Sequence, residues 1–170
     1  MSSTKALSDK TSWGQNNNCP LHVFLHFNDT KLEKITLEKA DSFDLIFMGS
    51  PEKPDVIEWF THFLNGTHRP FPLPLLLNVG SFQKRVLSQL QKIPSGETRS
   101  YADIAAWLGQ PKAARAVGTA CRINPYPLVI PCHRVVKTDG GLGGFAYGLS
   151  MKRQLLDFER AQIGSLKSCS

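Results

Sequence analysis

The stretch from Ser100 to Arg122 constrains the fold most, because it carries start and stop signals for two consecutive short helices. Ser100 followed by Asp103 has the spacing of a capping box, which opens a helix that Gly109 then ends. Pro111 suits the first turn of a second helix, which we predict to continue to about Arg122. Two short helices joined by so short a turn form a helix-turn-helix.

The second of these helices carries a basic face. The residues that share this face are Lys112, Arg115, Thr119 and Arg122, and most of the residues between them are small. Basic side chains neutralise phosphates, and small residues let a helix backbone approach a groove closely. A helix packed into a core, with solvated arginines, would have the same composition. We favour nucleic acid because residues 79–170 hold 13 basic and 5 acidic side chains, whereas residues 1–78 hold 7 and 9.

The order of the elements predicts an α+β protein with two domains. Residues 1–18 are polar and are expected to form a flexible tail. Residues 19–74 should form a small N-terminal domain with an antiparallel sheet, since they contain three strand candidates and one amphipathic helix. The strands are predicted at 21–27, near 34–37 and at 44–48, and the helix at 54–65. Residues 79–165 are mostly helical and should form a winged-helix-like DNA-binding domain with an active-site strand.

Cysteine usage and hydropathy predict the compartment. The four cysteines, Cys19, Cys121, Cys132 and Cys169, form no C-x-x-C pair and fit no structural zinc pattern, so we expect no bound metal. We recognise neither a signal peptide nor an apolar run long enough to cross a bilayer. Free thiols in such a chain predict a reducing compartment, the cytoplasm, and no membrane partner.

Cys132 is the most unusual residue of the sequence. A short apolar strand is predicted at Leu128–Ile130, and Pro131 ends it immediately before the cysteine. His133 and Arg134 follow, and imidazole or cationic groups beside a thiol lower its pKa and favour the nucleophilic thiolate. Neighbouring residues of an extended chain point to opposite faces. His133 can therefore serve Cys132 only if the chain bends there or a water molecule bridges them.

A carboxylate on the final helix could orient this imidazole. That helix is predicted from Met151 to about Gln162, and Glu159 lies on its apolar stripe. A carboxylate that faces a core needs a partner, which His133 or Arg134 would supply. An ordinary ion pair at the helix surface explains the spacing equally well.

From the residues alone, Cys132 and His133 could also be a pair of metal ligands or part of a papain-like Cys–His hydrolase. No second ligand pair stands at metal spacing, and a papain-like site takes its histidine from far downstream. The basic helix-turn-helix just upstream indicates instead that the thiol acts on DNA. Chemistry on a base requires that base to leave the stack.

Eight separated blocks together resemble the O6-alkylguanine-DNA alkyltransferases, also called methylated-DNA–protein-cysteine methyltransferases. The segment Ile130–Val136, IPCHRVV, matches the active-site signature of that family. The other blocks, in family order and spacing, are Phe82-Gln83, Ile93-Pro-x-Gly-Glu-Thr98, Ser100-Tyr101, Ile104-Ala105, Arg115-Ala-Val-Gly118, Asn124-Pro125 and Leu155-Leu-x-x-Glu159. The resemblance covers about residues 79–162 and implies single-turnover DNA repair. A monomer would bind double-stranded DNA in the minor groove and flip out an O6-alkylguanine, or less readily an O4-alkylthymine. It would then take the alkyl group permanently onto Cys132, without a cofactor.

The resemblance also implies roles for individual residues. Cys132 would be the acceptor thiolate, His133 the base that takes its proton through a water, and Glu159 the carboxylate that orients His133. Tyr101 resembles the phenol that donates a proton toward N3 of the leaving guanine. The residues expected to contact DNA are Arg115, which would fill the gap in the stack, the hinge residue Asn124, Ala114 and Ala116 at the groove, and the basic residues Lys112, Arg122 and Arg134.

The chain departs from the family pattern in the loop after the signature. This loop, residues 143–148, has Phe145 where tyrosine is common and Tyr147 where glycine is usual, so we expect methyl transfer to exceed benzyl transfer. Residues 1–78 also lack the zinc ligands of some relatives. Two alternatives stay open. One is a non-catalytic damage binder, whose known examples replace the cysteine, and the other is a thiol hydrolase that turns over repeatedly.

Overall fold

The chain forms two compact units in a computed structural model that describes residues 8–12 and 19–167. The first unit comprises the described residues up to Asn65 together with Arg69–Leu76. The second comprises Gly66–His68 together with the described residues from Leu77 onward. The predicted α+β class is confirmed. No helix within the described ranges is long and apolar enough to cross a bilayer.

The first unit is built on a four-stranded sheet in the order β1-β4-β2-β3. The strands are β1, Ser8–Ser12, β2, Leu21–Asn28, β3, Lys31–Lys39, and β4, Asp44–Met48. Buried and partly exposed residues alternate along β2, as expected for a strand with one face on a core. Helix α1, Pro54–Leu64, buries an aromatic stripe, and its Phe60 ring lies 6.2 Å from the Phe43 ring.

Two details predicted for this unit are wrong. Ser8–Ser12, expected in a flexible tail, pairs with β4 as an edge strand. Backbone hydrogen bonds need no apolar side chains, so polar composition does not exclude such a strand. The rest of the predicted tail lies outside the described residues. In addition, β2 and β4 are parallel, so the sheet is mixed. Residues 40–43 connect the end of β3, on one side of β2, to the start of β4, on the other side. Because β3 is antiparallel to β2 and the chain reverses direction over these residues, β4 is parallel to β2.

The second unit is mostly helical and contains the predicted helix-turn-helix. Its helices are α2, Ser81–Leu90, α3, Tyr101–Trp107, α4, Ala114–Arg122, and α5, Leu149–Lys167, and its strands β5, Arg99–Ser100, and β6, Val135–Val136, are parallel. The capping box of α3 is confirmed, since Ser100 and Asp103 each bond the other's backbone N–H through their side chains. Helix α4 begins later than predicted, because Pro111 opens a turn in which Ala113 N donates to Gln110 O.

The strand predicted at Leu128–Ile130 is wrong. These residues form a turn in which Leu128 has a φ of 70° and Ile130 N donates to Tyr126 O. Prolines at 125, 127 and 131 remove N–H donors that a sheet ladder needs. The Asn124 side chain forms hydrogen bonds with the backbone of this turn, since its Oδ1 accepts from Tyr126 N and its Nδ2 donates to Ile130 O. The strand near the cysteine is β6, which follows it.

Candidate active site and nucleic-acid interface

A cavity of about 620 Å³ lies in the second unit beside the helix-turn-helix. The predicted site residues that line it are Tyr101, Ala114, Arg115, Arg122 and Cys132. This volume suits a pocket that encloses a small organic group such as one nucleobase. Among residues 8–12 and 19–167, no group of three or more His, Cys, Asp or Glu side chains is arranged to hold a metal ion.

Cys132 begins a short 3-10 turn, Cys132–Arg134, directly after Pro131. Its N–H donates to Ile130 O at 2.8 Å, and its Sγ accepts a hydrogen bond from Asn124 Nδ2 at 3.2 Å. Cys132 is only 6% exposed, yet it forms part of the cavity wall. The chain therefore bends between Cys132 and His133, which is one of the two arrangements that the sequence left open.

Burial raises the pKa of the Cys132 thiol. The Asn124 amide, the Lys152 ammonium and nearby backbone N–H groups lower it, but by less than burial raises it. Burial therefore opposes the effect that the groups beside Cys132 were expected to have on its pKa, and it favours the protonated thiol. The reaction then needs a base to take the thiol proton, which is the role expected of His133.

His133 and Glu159 form a fully buried pair. Nε2 of His133 lies 2.8 Å from Glu159 Oε1. Nδ1 of His133 has no hydrogen-bond partner within the part of the chain that the structure describes. A carboxylate only accepts hydrogen bonds, so Nε2 is the ring nitrogen that donates to Glu159. Nδ1 is therefore the ring nitrogen that is left to exchange a proton.

Arg134 completes this pair and does not face a nucleic acid. Its Nε and Nη2 donate to Glu159 at 2.8 to 3.1 Å, and its Nη1 donates to Ile93 O. Arg134 is 2% exposed, so the prediction that it contacts DNA is wrong. The buried carboxylate of Glu159 needs a compensating positive charge, and the Arg134 guanidinium supplies it.

Glu159 stays ionised in this setting. Burial by itself raises its pKa, but the charges and hydrogen bonds of His133 and Arg134 lower it to about 2. Gly96 N also donates to Glu159 Oε2 at 3.1 Å. The alternative of an ordinary surface ion pair does not hold, since Glu159 is 0% exposed.

Tyr101 lines the cavity from the first position of α3. Its hydroxyl donates to Gly144 O at 3.5 Å. Burial raises the pKa of this phenol, and the neighbouring thiols of Cys121 and Cys132 raise it further, so it keeps its proton. Gly143 has a φ of 69°, and a Cβ there would lie 2.6 Å from the Tyr101 hydroxyl. Glycine therefore allows the loop to approach the ring this closely.

Lys152 was missed by the sequence reasoning. It is fully buried, and its Nζ donates to Val135 O and to Gly144 O and lies 5.9 Å from the centre of the Tyr101 ring. Burial lowers its pKa, while Cys121 and Cys132 raise it. The sequence does contain a signal for a buried Lys152, because this residue lies on the same apolar stripe of α5 as Glu159.

The outer face of α4 is open to solvent. Its exposed residues are Arg115, Ala116, Thr119 and Arg122. Val117 and Ala120 are buried on the opposite face. Arginines in solvent on one face and small residues packed on the other are common to a DNA-contacting helix and to a core-packed helix with solvated arginines. Lys112 is exposed in the turn before α4 and lines a separate, smaller groove.

Comparisons with known proteins agree with this geometry. The family model described as 6-O-methylguanine DNA methyltransferase, DNA binding domain, matches residues 81–161. A probable methylated-DNA–protein-cysteine methyltransferase of Acanthamoeba polyphaga mimivirus is 47% identical over 105 residues, which cover 57% of this chain and 70% of that protein. This chain belongs to the methylated-DNA–protein-cysteine methyltransferase family.

Other family members match over different shares of their length. The inducible methylated-DNA–protein-cysteine methyltransferase of Bacillus subtilis is 36% identical, with 68% of this chain and 79% of that protein covered. The match spans only 26% of the bifunctional transcriptional activator and DNA repair enzyme Ada of Escherichia coli. A crystal structure of Mycobacterium tuberculosis OGT in complex with DNA superposes with a TM-score of 0.67 and 31% identity, over 83% of this chain and 94% of that chain.

Proposed function

We propose that this chain repairs DNA by transferring an alkyl group irreversibly from O6-alkylguanine, and less readily from O4-alkylthymine, to Cys132. The observation that carries the proposal is the Cys132 thiol in the wall of a nucleobase-sized cavity, followed directly by the buried His133–Glu159 pair. The names of the relatives and the DNA bound to one of them support the substrate class. The thioether formed on Cys132 is not hydrolysed, so the thiol is not regenerated and each protein molecule acts once.

The reaction begins with loss of the thiol proton from Cys132 to Nδ1 of His133 through a bridging water. The sulfur then attacks the alkyl carbon, the carbon–sulfur bond forms and the carbon–O6 bond breaks. The electron pair of the broken bond stays on the guanine, and Tyr101 donates its phenolic proton toward N3. The proton held by His133 returns to the Tyr101 oxygen. The net change exchanges the alkyl group of guanine for the thiol hydrogen, with no cofactor.

DNA binding in this proposal uses the exposed face of α4 in the minor groove. Lys112 and Arg122 contact phosphates, and the planar guanidinium of Arg115 enters the stack where the damaged base has left it. Ala114 and Ala116 keep the groove side of the helix small. Asn124 holds the end of the helix against the acceptor through its bond to Sγ. We expect the protein to act as a monomer in the cytoplasm.

The direct test is incubation with a duplex that contains one O6-methylguanine, followed by intact-mass and peptide analysis. We expect one added methyl group, about 14 Da, on the peptide that contains Cys132, and a burst of one equivalent without further turnover. Cys132→Ser is the control and should bind the duplex without any gain in mass.

Two outcomes would contradict the proposal. A stable complex with the damaged duplex and no gain in mass on the wild-type chain would favour the non-catalytic damage binder. Repeated turnover of an ester or peptide substrate would favour the thiol hydrolase.

A further inference from the structure

We propose that Cys121 is the resolving thiol of the cavity, which forms a disulfide with Cys132 once hydrogen peroxide has oxidised the acceptor. The pair would thereby keep the acceptor in a recoverable state. The reaction itself needs only the two thiols and the peroxide. Its consequence for repair rests on the proposed role of Cys132.

The end of α4 brings Cys121 to the same cavity wall as Cys132. Asn124 links the two residues, since its N–H donates to Cys121 O at 3.4 Å and its side chain donates to Cys132 Sγ at 3.2 Å. Tyr101 lines the same cavity, and both cysteines raise its pKa; its ring would lie 3.7 Å from a Cβ at Gly118, one helical turn before Cys121. Neither thiol is in a disulfide in the structure. The two residues therefore line one cavity.

The electrostatics agree with this proximity. Burial, and after it the neighbouring Cys132, raise the pKa of Cys121 to about 12. Lys152 lowers the pKa of both thiols, so a single buried cation lies close to the pair. Cys19 is fully buried in the first unit.

The chemistry proceeds in two balanced steps. The Cys132 sulfur attacks one oxygen of hydrogen peroxide, a sulfur–oxygen bond forms, and the oxygen–oxygen bond breaks to release hydroxide, which leaves as water with the thiol proton. The Cys121 sulfur then attacks the sulfenic sulfur of Cys132. The sulfur–sulfur bond forms and the second oxygen leaves as water with the Cys121 proton. A thiol reductant reverses the disulfide, whereas it does not reverse sulfinic acid.

The test treats the reduced full-length protein with hydrogen peroxide, removes the oxidant with catalase, and maps peptides without reduction. In the wild type we expect a peptide pair linked through Cys121 and Cys132, with alkyl transfer lost and then recovered after dithiothreitol. In Cys121→Ser we expect no linked pair, sulfinic acid on Cys132, and a recovered fraction of activity about tenfold lower than in the wild type. Each variant is compared with its own untreated sample, and Cys169→Ser serves as the matched control that should behave as the wild type.

Absence of the linked peptide in the wild type would overturn the inference, as would equal recovery in Cys121→Ser. The linked peptide is detected by mass and does not depend on alkyl transfer. If the protein forms the disulfide but takes up no methyl group, the proposed function is contradicted and the inference about the disulfide is supported.

Discussion

At the scale of single residues, the buried carboxylate of Glu159 determines the hydrogen bonding of His133 and Arg134, which follow Cys132 in the sequence. It accepts hydrogen bonds from His133, Arg134 and Gly96, and it therefore orients an imidazole and compensates a buried guanidinium at the same time. Removing its charge should leave Arg134 buried without a counterion, which is strongly unfavourable.

Glu159→Gln should lower the free energy of unfolding by about 3 to 5 kcal/mol at pH 7. The folded-state pKa of Glu159, about 2, lies below its usual value of 4.5, so the unfolded chain binds this proton more readily than the folded protein. The stabilisation is therefore complete above about pH 4.5 and is lost as the pH falls toward 2. Urea unfolding at pH 7, 5 and 3 should show the gap between wild type and variant closing with acid.

Asp157→Asn is the matched control for this experiment. Asp157 lies on the same helix, is exposed, and pairs with Arg160 at 3.7 Å. Such a surface pair should contribute less than about 1 kcal/mol. A gap between wild type and Glu159→Gln that stays constant from pH 7 to pH 3 would contradict the pKa assigned to this carboxylate.

Lys152→Met should make Cys132 less reactive. The ammonium of Lys152 lowers the pKa of the thiol, and an apolar chain of similar length removes that effect. We expect Cys132 to react with iodoacetamide about tenfold more slowly at pH 7.5, with the difference shrinking at higher pH as the thiolate forms. Lys84→Met, at an exposed position of α2, is the control. Equal rates for Lys152→Met and wild type across this pH range would refute the electrostatic role.

At the scale of elements, the loop that follows β6 and the helix α4 both contribute to the cavity wall. The loop reaches Tyr101 because Gly143 has no side chain. Helix α4 contributes exposed arginines on one face, while small buried residues hold its other face against the unit.

Gly143→Ala should slow methyl transfer about tenfold or more, because its Cβ would displace the Tyr101 hydroxyl that we assign as proton donor. Gly140→Ala is a matched control, since Gly140 also has a positive φ, 83°, but nothing lies within 4 Å of its Cβ position. Both variants should lose similar stability through the strained backbone. Equal loss of transfer rate in the two would show that strain, and not the contact with Tyr101, is responsible.

Arg115→Ala should slow the repair of duplex DNA about tenfold more than the reaction with a free O6-alkylguanine base, because only the duplex has a gap to fill. Single-turnover rates on both substrates measure this ratio. Arg160→Ala removes the same charge from the surface of α5 and should leave the ratio unchanged. Equal slowing of Arg115→Ala on both substrates would exclude its role in replacing the base.

At the scale of the whole molecule, the charge is divided unevenly along the chain. The net charge of the full sequence is +6, yet the excess of basic residues lies after residue 78. The second compact unit, which contains the cavity and α4, therefore carries most of the attraction for a polyanion.

The affinity for duplex DNA should fall linearly with salt concentration on a double logarithmic plot. Replacing Arg122 with Gln should reduce that slope by about one unit, since one phosphate contact is lost, while Lys84→Gln should leave it unchanged. Fluorescence anisotropy between about 50 and 200 mM salt measures both slopes. A slope that does not respond to Arg122→Gln would remove this residue from the interface.

The sequence by itself determined the features that depend on short-range chemistry. The capping box at Ser100 and Asp103 and the glycine stop at Gly109 act within one or two helical turns, so their residue types are sufficient to predict the helix-turn-helix. The signature around Cys132 likewise identified the family, since eight blocks agree in order and spacing. The partner of Glu159 was narrowed to His133 or Arg134 because a buried carboxylate must be compensated.

Only the tertiary structure decided which groups burial brings together. Arg134 pairs with Glu159, 25 positions further along the chain, and is therefore not on the proposed DNA surface. Lys152, on the same helix as Glu159, donates to Val135 O. The turn at Leu128 replaces a strand, because the Asn124 side chain bonds backbone groups that a ladder would otherwise have paired. Cys121 and Cys132 line one cavity because of the way in which their elements pack. Desolvation and pairing depend on every element packed around a group, and local residue patterns do not contain that information.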